Sequence, residues 1–115
     1  MLTYSAHEAN GVLVFTVEEA TGDQVYTSQR EWLYKTIESR EDPRFVIDLA
    51  AVNYMASTDV GVLVTIKRRI DQRKGKLALV HVDPFIYDIL RTMRIDKLIP
   101  IHEDLPSALA AVAQV

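Results

Sequence analysis

The sequence predicts an α/β fold with a mixed, mostly parallel sheet, an N-terminal hairpin and about four helices. Two observations predict it. Short apolar segments rich in β-branched residues alternate along the chain with longer segments in which apolar residues recur every three or four positions. Near the N-terminus, Asn10 and Gly11 form a strong turn signal between two short apolar segments, as in a β-hairpin. Strands that alternate with helices imply parallel pairing, right-handed crossovers and helical cover.

The first half of the chain predicts the hairpin, one helix and a buried strand. The hairpin strands are residues 2–6 and 12–17, and a polar connection follows over residues 18–23. An amphipathic helix is predicted over residues 23–39, where a polar segment with a proline ends it. Residues 45–49 are almost continuously apolar, which is typical of a strand that is covered on both faces.

The next apolar segment is ambiguous between strand and helix. Its content of valine and threonine favours a strand by propensity. However, Leu63, Ile66 and Ile70 recur at helical spacing, hydroxyl residues precede the segment, and Gly75 follows a basic stretch as a helix stop. We therefore predict a helix over residues 58–73.

The last part of the chain predicts two strands and two helices. Residues 76–82 form a strand, and Asp83 is a good N-cap before Pro84 at the first helical position. Residues 98–101 are predicted as a short strand, whose proline favours an edge position. Asp104 can cap a final helix.

Length and composition predict a single domain over residues 1–115, large enough to bury a core. The formal net charge of −3 does not favour nucleic-acid binding. The chain has no cysteine, which excludes disulfides, thiolate metal sites and cysteine nucleophiles. The first residues do not resemble a signal peptide, and the longest apolar run is too short to span a bilayer. We expect a cytoplasmic protein that does not insert into membranes.

The chain shows no pattern of a catalytic or cofactor site. His7, His81 and His102 lack metal-ligand spacing, and no glycine-rich phosphate loop is present. Ser57 lacks the G-x-S-x-G setting of a nucleophile, and a hydrolase or phosphatase built on Asp48 and Ser57 would lack a visible base. We therefore expect no enzymatic activity, no metal and no cofactor.

The most informative segment is residues 54–63, Tyr-Met-Ala-Ser-Thr-Asp-Val-Gly-Val-Leu. Ser57, Thr58 and Asp59 are residue types that cap a helix N-terminus, where the partial positive charge also favours anions such as phosphate. Ser57 is therefore either a simple N-cap or a site at which an added phosphate would change a binding surface. The segment follows Asp48, which we predict to be a strand-end carboxylate that accepts backbone N–H bonds. The carboxyl ends of parallel strands are where such folds usually work.

Two of these segments resemble the STAS domain, the fold of bacterial anti-sigma factor antagonists. Residues 45–49, Phe-Val-Ile-Asp-Leu, resemble the family's apolar strand that ends in Asp-Leu. Residues 54–63 resemble its signature Phe-Met-Asp-Ser-Ser/Thr-Gly-Leu-Gly-Val-Leu. Residues 75–80, 95–98 and 105–109 fit the family's layout, so the resemblance covers most of the chain from Phe45 onward.

The resemblance implies a non-enzymatic switch in a partner-switching pathway that regulates transcription. In this family the partner is an anti-sigma factor or a histidine-kinase-like serine kinase, which phosphorylates the first hydroxyl of the signature. The matching residue is Ser57, with Thr58 as the secondary candidate. Phosphorylation releases the partner, and a phosphatase, here expected to be of the PP2C type, resets the switch.

Three features depart from the family pattern. Ala56 stands where the family has Asp, Asp59 stands where it has Gly, and residues 17–20 replace a Gly-Glu-Leu-Asp-like segment. Ala56 bears on recognition by the kinase, and Asp59 places negative charge where a phosphate would arrive. Both favour the alternative function, a STAS module that docks on a transporter or signalling scaffold without phosphorylation. Arg94, where many members have Gly, is interpreted as local loop variation.

The predicted partner surface lies around the start of the helix, since exposed apolar residues beside a polar helix end are a common interface composition. Its residues are Asn53, Ala56, Ser57, Thr58, Asp59, Val60 and Val62. Farther along the helix, a basic cluster is either a solvated face or a patch for an acidic partner. Its residues are Lys67, Arg68, Arg69, Arg73, Lys74 and Lys76.

Overall fold

The structure is a computed structural model that describes residues 2–19 and 26–113. Most of the predicted connection at residues 18–23, and the predicted start of the first helix at Asp23, lie outside the described residues. Within those two ranges, no helix combines the length and the apolar content that crossing a bilayer requires.

The described residues form five strands and five helices. The strands are β1 (Leu2–Ala9), β2 (Val12–Glu19), β3 (Arg44–Asp48), β4 (Lys76–Val80) and β5 (Ile101–His102). The helices are α1 (Tyr26–Glu38), α2 (Ser57–Gln72), α3 (Pro84–Thr92), α4 (Ile95–Leu98) and α5 (Leu105–Ala113). Apart from the single turn of α4, the order of strands and helices is the predicted one.

The five strands form one sheet in the order β1-β2-β3-β4-β5. β1 and β2 pair antiparallel around the Asn10–Gly11 turn, in which both residues have left-handed backbone (φ 54° and 79°). Each later neighbour pairs parallel, with Val46 of β3 opposite Val14 of β2 and Ala78 of β4. The predicted hairpin and the mostly parallel sheet are therefore confirmed.

Both faces of the central strands β2, β3 and β4 are buried, whereas residues 5–8 of the edge strand β1 are exposed. On one face, α1 to α4 pack over a large core that includes Phe45 and Ile47 of β3. On the other face, α5 places Ala108 and Val112 against a smaller core that includes Val46. Successive residues of β3 thus enter different cores, which is why the strand is apolar at every position between its ends.

The last strand begins later than predicted. Leu98 belongs to α4, and pairing with β4 begins only at Ile101. The reason is Arg94, whose left-handed backbone (φ 62°) separates α3 from the short turn of α4. Pro100 still lies beside the sheet, because its carbonyl accepts a hydrogen bond from the Leu79 N–H (2.9 Å).

Two predicted helix caps are confirmed. The Asp83 carboxylate accepts a hydrogen bond from the Phe85 N–H (2.8 Å) at the start of α3, with Pro84 in the first turn. The Asp104 carboxylate accepts one from the Ser107 N–H (2.8 Å) at the start of α5. Hydrogen bonds from Ser107 lower the pKa of Asp104, because they stabilise the ionised carboxylate.

Helix α2 ends close to the predicted Gly75, although the glycine has a different task from the one expected. The left-handed residue that ends the helix is Lys74 (φ 59°). Gly75 instead lies against the connection between α1 and β3, where a Cβ atom on residue 75 would be 2.1 Å from the carbonyl oxygen of Pro43. The glycine is therefore required by packing rather than by backbone conformation.

Candidate functional site

The chain leaves the sheet at Asp48, the last residue of β3. Its Oδ1 accepts a hydrogen bond from the Ala50 N–H (2.9 Å), which closes the turn after the strand. The same oxygen lies 3.1 Å from Nδ1 of His81, the residue that follows β4. The prediction that Asp48 accepts a backbone N–H at the strand end is confirmed. The carboxylate also links the connections that leave β3 and β4.

His81 is a part of this site that sequence reasoning missed. Its left-handed backbone (φ 56°) turns the chain out of the sheet, so β4 ends at Val80 and not at Val82 as predicted. Histidine is one of the residue types that tolerate this conformation best, but nothing in the sequence signals it. The sequence analysis considered His81 as a metal ligand. Across the described residues, no group of three His, Asp or Glu side chains could hold a metal ion.

The connection from β3 to α2 is held by two buried side chains and presents two exposed ones. Val52 and Met55 point into the core, with 1% and 5% of their surface exposed. The Val52 N–H also donates to the Leu49 carbonyl (3.0 Å). Between them, Asn53 is exposed and Tyr54 is 60% exposed, although tyrosine usually buries its ring. The two buried side chains thus hold the connection so that Asn53 and Tyr54 face solvent just before the helix.

The start of α2 differs from the expected cap. The N-cap residue is Ala56, and Ser57 is already the first helical residue. The Asp59 carboxylate turns back and accepts a hydrogen bond from the Ala56 N–H (2.9 Å). This is one half of a capping box, and alanine has no side-chain oxygen to supply the other half. The interpretation of Ser57 as a simple N-cap is therefore wrong.

The two adjacent hydroxyls have no structural task in the described parts of the chain. Ser57 and Thr58 are both exposed, and neither side chain makes a hydrogen bond to another described residue. The N–H groups of Asp59 and Val60 bond to the Ala56 carbonyl, whereas those of Ser57 and Thr58 precede the first helical bonds. An exposed hydroxyl thus lies beside two backbone donors at the positive end of a 16-residue helix.

Three residues of the predicted partner surface are buried, and a fourth, Ala56, is half-buried. Val60 and Val62 are 2% and 3% exposed and belong to the larger core. Asp59 is 6% exposed because its carboxylate is bonded to the connection before the helix. The expectation that the two valines lie exposed beside the helix end is wrong, since α2 turns them toward the sheet.

Three residues of the predicted surface are exposed: Asn53, Ser57 and Thr58. Two further exposed residues, Tyr54 and Gly61, extend this region along the connection and the first turns of α2. We call it the loop–helix surface. Its residues are Asn53, Tyr54, Ser57, Thr58 and Gly61.

Comparisons with known proteins identify the fold that carries this surface. A family model of the STAS domain matches residues 3–108. The chain belongs to the STAS domain family. An anti-sigma F factor antagonist from Paenibacillus polymyxa is 24% identical to it over 99 residues, which are 86% of this chain and 85% of that protein.

Solved structures of STAS proteins superimpose on most of the chain. An anti-sigma-factor antagonist (STAS) domain protein from Planctomyces limnophilus has a TM-score of 0.84 at 21% identity, covering 97% of this chain and 99% of that chain. The Bacillus cell fate determinant SpoIIAA in its phosphorylated form has a TM-score of 0.70 at 12% identity, covering 96% and 99%. At these identities the likeness establishes the STAS fold.

The turn after α3 contains one departure from the pattern that the resemblance implies. Arg94, at which the resemblance implies glycine in many members, has a left-handed backbone (φ 62°). Glycine adopts this conformation without strain, whereas arginine is strained in it. The interpretation of Arg94 as local loop variation is therefore incomplete, because its backbone carries a strain that glycine would not have.

Proposed function

We propose that this STAS domain is a non-enzymatic protein-interaction switch of the anti-sigma factor antagonist type, controlled by phosphorylation of Ser57. Its partner is an anti-sigma factor or a histidine-kinase-like serine kinase, and a PP2C-type phosphatase resets it. One observation carries the proposal: the Ser57 hydroxyl is exposed in the first turn of α2 and has no capping role. The name of the Paenibacillus relative and the phosphorylated SpoIIAA structure support it. Because such a kinase uses ATP, the proposal places the protein in the cytoplasm.

A phosphate on Ser57 acts in opposite directions in the free protein and in the complex. In the free protein, it lies at the positive end of α2 beside N–H groups that precede the first helical bonds, which stabilises it. In the complex, a charge of about −1.5 to −2 loses water at a contact shaped for a hydroxyl. The difference between the two states favours release of the partner.

The loop–helix surface supplies the contact that the phosphate breaks. Tyr54, three residues before Ser57, adds a largely exposed aromatic ring to this surface, and Gly61 leaves open space on the next turn of the helix. Exposed aromatic residues are enriched in the centres of protein interfaces. Thr58→Arg is therefore expected to weaken partner binding at least about fivefold, since it places a large charged group in the contact.

The direct test is mass spectrometry after incubation with the kinase and ATP. We expect one phosphate on the wild-type chain, none on Ser57→Ala, and one on the matched variant Thr58→Ala. Ser57→Asp is expected to weaken binding of the partner, and Ser57→Ala is expected to retain it. Phosphate on Thr58 alone would overturn the assignment to Ser57.

Ala56 and Asp59 support a second candidate function, docking on a transporter or signalling scaffold without phosphorylation. Position 56 lacks the Asp that the resemblance implies. Position 59 has an Asp, whose carboxylate is bonded to the backbone, where the resemblance implies a glycine. Ala56→Asp separates the two candidates, because it restores the family residue and leaves the Asp59 hydrogen bond in place. Phosphate on this variant but not on the wild type would favour the second candidate.

A further inference from the structure

An open groove lies between α2 and the single turn of α4. Its volume is about 440 Å³, and most of its lining surface is apolar although four of the six lining residues are polar or charged. The residues that line it are Val64, Lys67, Arg68, Asp71, Gln72 and Leu98. A groove between two helices is the usual place for a third helix to dock.

Leu98 makes the groove apolar on the α4 side. It is 44% exposed, although its neighbours Ile95 and Ile99 are 5% and 0% exposed. On the α2 side, Val64 is partly buried and packs against the larger core. An exposed leucine facing a partly buried valine is a suitable seat for one apolar side chain of a partner.

The basic cluster of α2 is divided between structure and groove. Lys67 pairs with Asp71 (2.8 Å) within the helix. Arg69 pairs with Glu38 of α1, and Arg73 donates to a backbone carbonyl. These cations are held within the domain.

Arg68 is the exception among the cations that line the groove. It is exposed, and among the described residues it takes part in no ion pair. The Lys67–Asp71 pair is close to neutral, so the charge that the groove offers to a partner comes from Arg68.

The groove is continuous with the loop–helix surface. Ser57, Gly61, Val64 and Arg68 follow one another at spacings of four, three and four residues, so they lie along one side of α2. The rise of an α-helix places Arg68 about 16 Å from Ser57 along the helix axis. A partner with a standard contact area reaches both ends of this stripe.

We propose that the groove binds an acidic amphipathic helix, contributed by the same partner that contacts Ser57. An apolar side chain of that helix seats against Leu98 and Val64, and its carboxylates face Arg68. A second copy of this chain fits less well, because a twofold contact on the groove would bring Arg68 toward Arg68. The identity of the partner rests on the proposed function, whereas the chemistry of the groove does not.

A synthetic peptide tests the chemistry without the partner. The probe is a fluorescent helical peptide of about 15 residues with leucines at helical spacing between glutamates, and its counterpart has lysines instead of glutamates. We expect the acidic peptide to bind the full chain, to shift the amide resonances of Val64, Arg68 and Leu98, and to weaken as salt is raised. Equal binding of the lysine peptide, no binding of the acidic peptide, or shifts confined to other residues would overturn the proposal.

Matched variants test the charge and the apolar seat. Arg68→Glu is expected to lower the affinity for the acidic peptide about fivefold or more. Leu98→Ser is expected to lower it by a similar factor. Lys35→Glu makes the same change of charge on the exposed surface of α1 and should leave the affinity unchanged. Circular dichroism of each variant checks that it is folded. Equal losses of affinity in Arg68→Glu and Lys35→Glu would show that the peptide responds only to net charge, which would contradict binding in the groove.

The anti-sigma factor separates this proposal from the switch itself. If both the switch and the groove proposal hold, Ser57→Asp and Arg68→Glu each weaken binding of the anti-sigma factor. Only Arg68→Glu then weakens binding of the acidic peptide. If Arg68→Glu weakens binding of the anti-sigma factor and Ser57→Asp does not, the groove proposal is supported and the switch is contradicted. The reverse result supports the switch and contradicts the groove proposal. If the chain forms a dimer that protects the amides of Val64, Arg68 and Leu98, the occupant of the groove is a second copy of the chain. That result would overturn the proposal.

Discussion

The two ends of α2 are fastened to the protein in different ways. At the C-terminal end, Arg73 donates a hydrogen bond from its Nε to the Arg40 carbonyl, and Gly75 packs against Pro43. At the N-terminal end, the carboxylate of Asp59 holds the preceding residue. The polar groups of the C-terminal end are thus bonded to distant segments, whereas the cap of the N-terminal end is one local side-chain hydrogen bond.

This difference separates structural residues from candidate binding residues on one helix. Among the described residues, Ser57 and Thr58 lie within the N-terminal turn but contribute no hydrogen bond to it. The cap is completed by Asp59 and the backbone, so removing either hydroxyl leaves the helix start intact. A partner contact is therefore the property by which substitutions at Ser57 should be judged.

The largest expected effect is at the C-terminal end. Gly75→Ala places a Cβ 2.1 Å from the Pro43 carbonyl oxygen and 2.9 Å from Cγ2 of Ile70. Because backbone must move, we expect the free energy of unfolding to fall by about 3 kcal/mol. Gly61→Ala is the matched control on the same helix, since its Cβ meets nothing within 4 Å. It should raise stability by about 0.5–1 kcal/mol. Urea unfolding of both variants measures the contrast, and a similar loss in both would contradict it.

The next effect is at the N-terminal end and concerns Asp59. Asp59→Ala removes the acceptor of the Ala56 N–H in a buried place, so we expect a loss of about 2 kcal/mol in the free energy of unfolding. Asp59→Asn keeps an oxygen acceptor without the charge and should lose less. Thermal unfolding of the two variants decides the point. Equal losses would show that the charge, and not the hydrogen bond, fastens the helix start.

The sequence predicted those parts of the fold that local residue types determine. The carboxylates of Asp83 and Asp104 cap helices because a cap needs only a short side chain and the next few backbone N–H groups. Asp48 was predicted for the same reason, since its hydrogen bond to Ala50 spans two residues. The apolar run inside β3 was predicted because a strand between two cores needs no polar face.

The features that the sequence did not predict are those that the preferences of single residues do not specify. His81 and Arg94 have left-handed backbones that no local preference of histidine or arginine requires. The burial of Val60 and Val62 depends on how α2 is rotated about its axis, and a segment with apolar residues on several sides does not specify that rotation. The position of Ser57 at the helix start was predicted, whereas its lack of a capping role needed the structure.

A smaller effect is expected from completing the capping box. Ala56→Ser supplies a hydroxyl that accepts the N–H of Thr58 or shares that of Asp59 with the carbonyl of residue 56, while Asp59 continues to accept the N–H at position 56. We expect the free energy of unfolding to rise by about 0.5–1 kcal/mol. Combined with Asp59→Ala, the gain should shrink, because the two halves of the box stabilise each other. An unchanged midpoint of urea unfolding in Ala56→Ser would mean that the N-cap geometry is not the one described.

The smallest effect on stability is expected at Ser57, and it bears most directly on function. Ser57→Ala removes an exposed hydroxyl without hydrogen bonds among the described residues, so the free energy of unfolding should change by less than about 0.5 kcal/mol. Thr58→Ala should behave alike, in contrast to the neighbouring Asp59→Ala. Ser57→Asp should raise stability by about 0.3–1 kcal/mol, because it adds a carboxylate at the positive end of α2. A loss of about 1 kcal/mol or more in Ser57→Ala would mean that the hydroxyl caps the helix. The effect of Ser57→Asp on partner binding would then no longer separate a switch from a damaged helix start.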